Sequence, residues 1–246
     1  MKIHQILIND DNNIPKILPK ITERCCDSVR ECIPGDYHLY SGKEIEDILL
    51  NNFSEEVYLS YKKLNPYAFK CDLARACLLY LYGGVYVDLH IQMMSDIDME
   101  FFEKYNFCAP RAHFDWQSQG LVVQNNFMIA KPGAVILERL IQNIVHNCRV
   151  EYYGHDVTCI SGMFLLGKLY SEVILKEKEE NMYLFADIIN ITPDRQKRRY
   201  ALVSNFGDLI GVIQKGKDIR ETGLTGVNWL TDFGNDRNVY NTNIKI

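Results

Sequence analysis

Between Pro66 and Asp98 the hydrophobic period of the chain changes from helical to extended across a Gly-Gly pair. Phe69, Leu73, Ala76, Cys77 and Tyr80 fall on one broad apolar face at helical spacing, and Ala68, Asp72, Arg75 and Leu79 fall on a second stripe. The spacing predicts a helix over residues 68–81. Gly83-Gly84 ends it, because glycine takes the left-handed C-cap conformation without a Cβ clash. Val85-Tyr86-Val87 then predicts a short buried strand, and Asp88 and His90 flank Leu89 at its end. On an extended chain both of these side chains point to one side.

The preceding segments build towards this unit. Ile3 to Ile8 predicts a first buried strand that ends in the turn Asn9-Asp10-Asp11. Residues 19–32 have helical spacing and stop before Pro34-Gly35. Tyr37 to Tyr40 reads as a second strand. Ser41 then caps a helix carrying Ile45, Ile48 and Leu49, with Glu44 placed for a capping box. A further helix spans 54–64. The β-α-β-α-α order is the alternation of an α/β sheet. Downstream, Phe107–Pro110 and Leu121–Ala130 are strand-like. Pro132 to Asn147 predicts an amphipathic helix with Pro132 near its start, and 161–176 suggests another. The last third is short apolar pieces between turns. No repeat, linker or composition break divides the chain, so a single domain is expected.

Composition narrows the function classes. Lys plus Arg is 27 against 32 for Asp plus Glu, a net charge of -5, which removes the basic surface that non-specific nucleic-acid binding needs. The eight cysteines form no CxxC pair, which argues against a structural zinc site; most sit in apolar runs as small hydrophobes. They are expected to be reduced thiols of a cytosolic protein. The opening MKIHQILIND is too short in apolar residues for a signal peptide, and no window reaches a membrane-spanning length.

The polar residues of the central stretch have two readings each. Asp72 and Arg75 lie one helical turn apart. As a surface ion pair they contribute roughly 0.2–0.5 kcal/mol; as a functional pair they are a carboxylate and a planar fork of donors on a non-polar helix. Asp88 and His90 are either a turn cap and a hydrogen-bonded partial-core residue, or two ligands converging on a divalent cation at the carboxyl end of a buried strand, where open α/β sheets bind ligands.

Together these residues carry a family resemblance. Asp72-x-x-Arg75 followed by Tyr82-Gly83-Gly84-Val85-Tyr86-Val87-Asp88 resembles the sugar-nucleotide site of glycosyltransferase family 32, and is similar to that of the glucosylating bacterial toxins. Lys2 to Leu7 looks like the opening strand of that family and Pro34 to Leu50 like its following segment. Asn125 to Gly133 resembles its N-n-f-i-a-s-k-P-G segment, and Ser161-Gly162 stands where T-G-P is usual. The likeness covers about the first two-thirds of the chain. It implies a GT-A fold, with a Rossmann-like mixed central sheet flanked by helices in one domain. The donor would bind within about 1–132 and the acceptor against about 133–246. It implies retaining transfer of a sugar from a nucleotide-sugar donor, UDP-sugar or GDP-mannose with UDP-sugar favoured, to a hydroxyl of a glycan or lipid-linked saccharide in surface polysaccharide synthesis.

The same resemblance implies the site. Asp88, Arg75 and Asn126 would be catalytic. Gln5, Leu7, Ala68, Asp72, Arg75, Gly84, Tyr86, Asp88, Ser161 and Gly162 would line the donor. Mn²⁺ or Mg²⁺ would act as Lewis acid on the leaving diphosphate. The family's second motif carboxylate, however, is His90 here. Three readings stay open: His90 ligates the metal and shifts preference from Mg²⁺ towards Mn²⁺ or a later transition metal; the enzyme uses a different metal ligand, or none, and His90 meets the pyrophosphate as a donor; or the site is inactive, and the chain is a sugar-nucleotide- or glycan-binding subunit. A metal-dependent hydrolase built on Asp88 and His90 is a third class, disfavoured by the lack of an H-x-x-x-H cluster. On the acceptor side, Asp115, Trp116 and Trp229 are candidates, with Trp116 a stacking platform or a packed aromatic. His113, Asp96, Asp98, Asn125 and His155-Asp156 are further candidates. The expected location is cytoplasmic, with peripheral association at the inner membrane face.

Overall fold

In the computed structural model, which describes residues 1–112, 121–192, 199–214 and 238–246, the first strand, β1 (Lys2–Leu7), is buried from Ile3 onward. Strands covered on both faces read as continuous rather than alternating apolar runs. β1 pairs in parallel with β2 (Asp36–Ser41) on one side and β3 (Gly84–Val87) on the other. Four helices lie between these strands: α1 (Lys20–Cys32), α2 (Gly42–Asn52), α3 (Glu55–Lys63) and α4 (Tyr67–Tyr82). The Ser41–Glu44 capping box starts α2, with Glu44 N–H donating to Ser41 Oγ at 3.2 Å and Ser41 N–H to Glu44 Oε2 at 2.8 Å.

After β3 come β4 (Ile91–Met93), α5 (Met99–Phe102), β5 (Phe107–Ala112), β6 (Phe127–Ala130), α6 (Val135–Arg149), α7 (Met163–Glu172), β7 (Met182–Asn190), β8 (Tyr200–Ser204) and β9 (Leu209–Ile213). The strands form one mixed sheet in the order β2-β1-β3-β6-β5-β7-β8-β9-β4. Only Asp88, Leu89 and His90 separate β3 from β4 in the chain, yet β4 pairs with β9 at the far end of that order. The sheet therefore curls until its last strand returns to the segment following β3, and the Asp88–His90 turn closes the curl. Successive strand residues point to opposite faces, so two cores result. Val85, Val87, Phe127, Phe185 and Leu202 fill one. Tyr86, Met128 and Phe107 join α3, α4, α6 and α7 in the other.

Several boundaries differ from the sequence reading. Of Leu121–Ala130 only Phe127–Ala130 is a strand; Val123 makes an isolated bridge to Arg111, and the irregular segment between carries Asn125 and Asn126. α6 begins at Val135, beyond Pro132, whose ring instead packs on Gly83. The helix expected over 161–176 stops at Glu172 and continues as a π turn, Val173–Glu177. Asp88 and His90 lie in a turn, closed by Ile91 N–H donating to Asp88 O at 3.0 Å, and not on extended chain. No helix among the described residues is long and apolar enough to cross a membrane.

The Gly-Gly break has a steric reason. Gly84 has φ +95°, and a Cβ there would stand 2.1 Å from the Lys2 carbonyl oxygen of β1. Gly83 (φ +62°) ends α4, donating its N–H to Leu79 O at 2.8 Å. Gly84→Ala is expected to cost about 3 kcal/mol or more, from left-handed strain plus displacement of β1. Urea titration checks it: the midpoint falls, with an unchanged slope.

Candidate active site

Arg75 is the hub of the polar cluster, and it is 5% exposed. Residues 72–79 of α4 are all buried, so the helix offers no wet face on which the pair with Asp72 can be a surface ion pair. The guanidinium reaches both carboxylates, with Nη1 3.3 Å from Asp88 Oδ1 and Nη2 3.4 Å from Asp72 Oδ1. Nη1 also donates to Asn125 O at 2.8 Å and Nε to Cys71 O at 3.1 Å. The guanidinium carbon lies 4.7 Å from the centroid of the Tyr86 ring, at cation–π range. Burial works against the charge, but Asp88, Tyr86 and Asp72 together outweigh it and hold Arg75 above its ordinary value.

Asp72 is clamped from two other segments. Asn125 Nδ2 donates to its Oδ1 at 2.8 Å and Ser161 Oγ to its Oδ2 at 2.7 Å. Burial pushes the Asp72 carboxyl up to about 6, against the pull of Arg75 and of the two hydrogen bonds. Asp88 is placed by β3 and β6: its N–H donates to Asn126 O at 2.8 Å, and Tyr86 Oη donates to its Oδ1 at 2.5 Å. With Oδ1 so engaged, Oδ2 faces His90, whose Nδ1 is 3.7 Å away and whose side chain is 34% exposed. The turn after β3 thus brings the carboxylate and imidazole together, as the sequence spacing suggests, through a bend rather than through extended alternation. Asn126 is buried with its Oδ1 unpartnered among the described residues.

The β1 residues play an internal part. Gln5 Nε2 donates to Val87 O at 3.2 Å, and Tyr37 Oη donates to Gln5 Oε1 at 2.7 Å, so the side-chain amide is spent on holding the end of β3. His4 joins Gly83 O through Nε2 at 2.8 Å and Tyr40 Oη through Nδ1 at 3.2 Å; burial lowers its pKa to about 4, keeping it neutral. Sequence reasoning missed His4, Tyr37 and the double role of Asn125, although the His4-Gln5 pair on a buried strand was a signal. Leu7 is buried at the carboxyl end of β1, Ala68 is exposed on the first turn of α4, and Gly162 is the buried N-cap of α7. Asp98 caps α5 and Asp156 accepts from Thr158 N–H, local duties for both. His113, Asp115, Trp116 and Trp229 lie outside the described residues. Among the described residues no three His, Cys, Asp or Glu side chains converge on a metal position, so Asp88 and His90 stand as a pair.

Residues 15–208 match the family model described as "Capsular polysaccharide synthesis protein". The chain belongs to that family. It is also 34% identical, over 87 residues, to an uncharacterized glycosyltransferase of Acanthamoeba polyphaga mimivirus. That match spans 35% of this chain and 34% of the viral protein, about a third of each. Among solved structures, the PaToxG glycosyltransferase superposes with a TM-score of 0.50 at 17% identity, over 73% of this chain and 71% of that one. The mixed α/β domain, a curled sheet flanked by helices, is therefore the fold of a glycosyltransferase structure, as the motif implies, and the chain is glycosyltransferase-like.

The Asp72 shift gives a pH dependence of stability. Its folded value of about 6 lies above the ordinary 3.8, so the folded state holds the proton more tightly. That contribution is fully present below about pH 4 and is lost as pH rises through 6, a change of about 3 kcal/mol. Asp72→Asn cannot titrate. Its stability relative to the native chain is expected to improve by about 2 kcal/mol between pH 4.5 and 7.5, the part of that change lying in this window, as read by urea midpoints at each pH.

Proposed function

We propose that this chain is a glycosyltransferase that moves a sugar from a nucleotide-sugar donor, UDP-sugar in preference to GDP-mannose, to a hydroxyl of a glycan or lipid-linked saccharide in surface polysaccharide synthesis. The observation that carries the proposal is the buried chain Asp72–Arg75–Asp88, which ends at a partly exposed carboxylate–imidazole turn. Burying an arginine between two carboxylates carries a desolvation cost that its hydrogen bonds to Cys71 O and Asn125 O help to offset. Here it fixes a guanidinium, offset by its two carboxylates, at the carboxyl end of β3, where a divalent cation would supply the remaining positive charge. Such preorganised charge is what stabilises a departing nucleoside diphosphate. Membership in the capsular polysaccharide synthesis family and the likeness to a viral glycosyltransferase support the same reading. The finer assignment to family 32 rests on the motif.

In this mechanism Arg75 and Asp88 hold the diphosphate and ribose. Asn126, the motif amide buried beside Asp88 with its Oδ1 unpartnered among the described residues, would reach a donor hydroxyl by turning its side chain outward. Among the described residues Asp72 and Asp88 are the carboxylates beside Arg75, and each is already engaged by neighbouring donors. That engagement favours retaining transfer on one face over a double displacement through a carboxylate nucleophile. Asp115, Trp116 and Trp229 are proposed for the acceptor side, which would use about residues 133–246, and the donor side about 1–132. The enzyme would work in the cytoplasm at the inner face of the membrane.

The Asp88–His90 pair fits a divalent cation. An oxygen and a nitrogen 3.7 Å apart can both meet one ion through bonds of about 2.1 Å. Imidazole as a ligand favours Mn²⁺ over Mg²⁺. When bound, the cation supplies Lewis-acid charge to the leaving diphosphate. His90 in place of a carboxylate also motivates the second reading, a non-catalytic subunit that binds sugar nucleotide or glycan.

A thermal-shift panel of UDP-, GDP- and CMP-sugars with and without Mn²⁺, paired with donor hydrolysis, separates these readings. A ligand that binds the folded state raises the transition, by about 2.7 kcal/mol at a hundredfold excess over Kd. The expected result is a Mn²⁺-dependent shift with a UDP-sugar, hydrolysis reduced about tenfold or more in His90→Ala, and hydrolysis abolished in Asp88→Ala. Binding without hydrolysis would select the non-catalytic reading. Full activity in Asp88→Ala would remove the site assignment.

A further inference from the structure

The motif places Ser161 among the residues that line the donor, but the structure leaves it no surface. Its side chain is 0% exposed, and its hydroxyl is donated to Asp72 Oδ2 at 2.7 Å. Asn125 is committed in the same way. Its Nδ2 goes to Asp72 Oδ1 at 2.8 Å, and its backbone carbonyl takes Arg75 Nη1 at 2.8 Å. Both residues sit on segments fixed from elsewhere. Asn147 of α6 donates to Ile160 O at 2.8 Å, immediately before Ser161. Gly162 N–H donates to Thr158 O at 3.0 Å, and Gln124 N–H to Pro110 O at 2.9 Å beside Asn125.

We infer that Ser161 and Asn125 are positioning residues. They hold the Asp72 carboxylate in one orientation so that it aims Arg75 at the place where a donor diphosphate meets Asp88, and Ser161 itself does not touch the donor. The inference rests on the transferase reading for its consequence, but not for its geometry. Asp72 is faced by Arg75 and Cys71 from α4, by Asp88 from the turn after β3, and by the neutral donors Ser161 and Asn125. Without the Ser161 hydroxyl, a buried carboxylate oxygen loses its donor. The carboxyl then either rotates towards Arg75 or takes up a proton more readily. Either response changes how Arg75 divides itself between Asp72 and Asp88. A direct donor contact would behave differently: its loss would weaken ground-state binding and leave Arg75 where it is.

The test uses the full chain with UDP-glucose and UDP-galactose as probes, and compares Ser161→Ala with Ser161→Thr. Ser161→Ala is expected to lower kcat for donor hydrolysis about tenfold while KM stays within about threefold. It is also expected to move the acid midpoint of kcat upward by about half a pH unit, because a hydrogen bond favouring the charged form is gone. Ser161→Thr, which restores a hydroxyl, recovers both. A raised KM with kcat and acid midpoint unchanged makes Ser161 a donor contact and overturns the inference. A second arm needs no donor. In a double-mutant cycle of Ser161→Ala and Asp72→Asn read by urea unfolding at pH 7.5, coupling of the two substitutions supports the clamp, and additive effects overturn it. Lack of hydrolysis by the native chain bears on the transferase reading alone, since the unfolding cycle still decides the clamp.

Discussion

One guanidinium holds the polar cluster between α4, β3 and β6 together. Arg75 is buried on a helix with no wet face, and it survives there because acceptors meet it from α4 itself, from the segment before β6 and from the turn after β3. A buried charge missing one partner costs several kcal/mol, so the elements that supply those partners are constrained as a set. The cluster therefore does more than decorate the sheet. It fixes the helix, the irregular Asn125–Asn126 segment and the β3 turn relative to one another. Asp72 and Ser161 extend the constraint to the start of α7.

The backbone delivers these residues by a second, steric constraint. Gly83 and Gly84 let α4 run directly into β3 with β1 pressed against the joint, where a side chain would strike the Lys2 carbonyl. His4 seals the same joint by bonding the Gly83 carbonyl. With helix and strand joined so tightly, Asp72 and Arg75 on one and Asp88 at the end of the other meet with little slack. The curl of the sheet then returns β9 to β4 just beyond the turn, which leaves the Asp88–His90 edge at a seam between strands rather than in the middle of a surface.

How far the sequence discloses this depends on the range of the interaction. α4, the Gly-Gly break, β3 and the Ser41 capping box are local, set by period, glycine and capping chemistry over a few residues, and they were legible. The convergence of Asp88 and His90 was legible in outcome but not in cause, since a turn rather than a strand brings them together. The partners of Asp72 were not legible as partners: Asn125 is 53 residues away and Ser161 is 89, and nothing in a linear pattern says that their polar groups are spent inside the protein. The same holds for β4, whose pairing with β9 rests on a return of the chain from far downstream. Leu121–Ala130 misled for a related reason. Its apolar residues are buried as expected, but Asn125 and Asn126 must leave the ladder to reach α4 and Asp88, so only its last four residues form a strand.

Charge is what separates an imidazole at position 90 from a carboxylate there. Arg75 offsets one of the two carboxylates it touches, so the buried cluster carries one net negative charge when Asp72 is ionised and none when Asp72 holds a proton. On the proposed reading a nucleoside diphosphate would approach the β3 turn, and since it is itself anionic, a second carboxylate at the motif position would add repulsion that a cation would have to relieve. An imidazole adds none when neutral, and it becomes attractive when protonated. On that reading His90 would lower the charge a cation has to neutralise while keeping a nitrogen able to ligate one. On the proposed transferase reading, His90 would thus shift the balance between cation and protein as the source of positive charge beside the diphosphate, with Arg75 the cation the fold itself fixes in place.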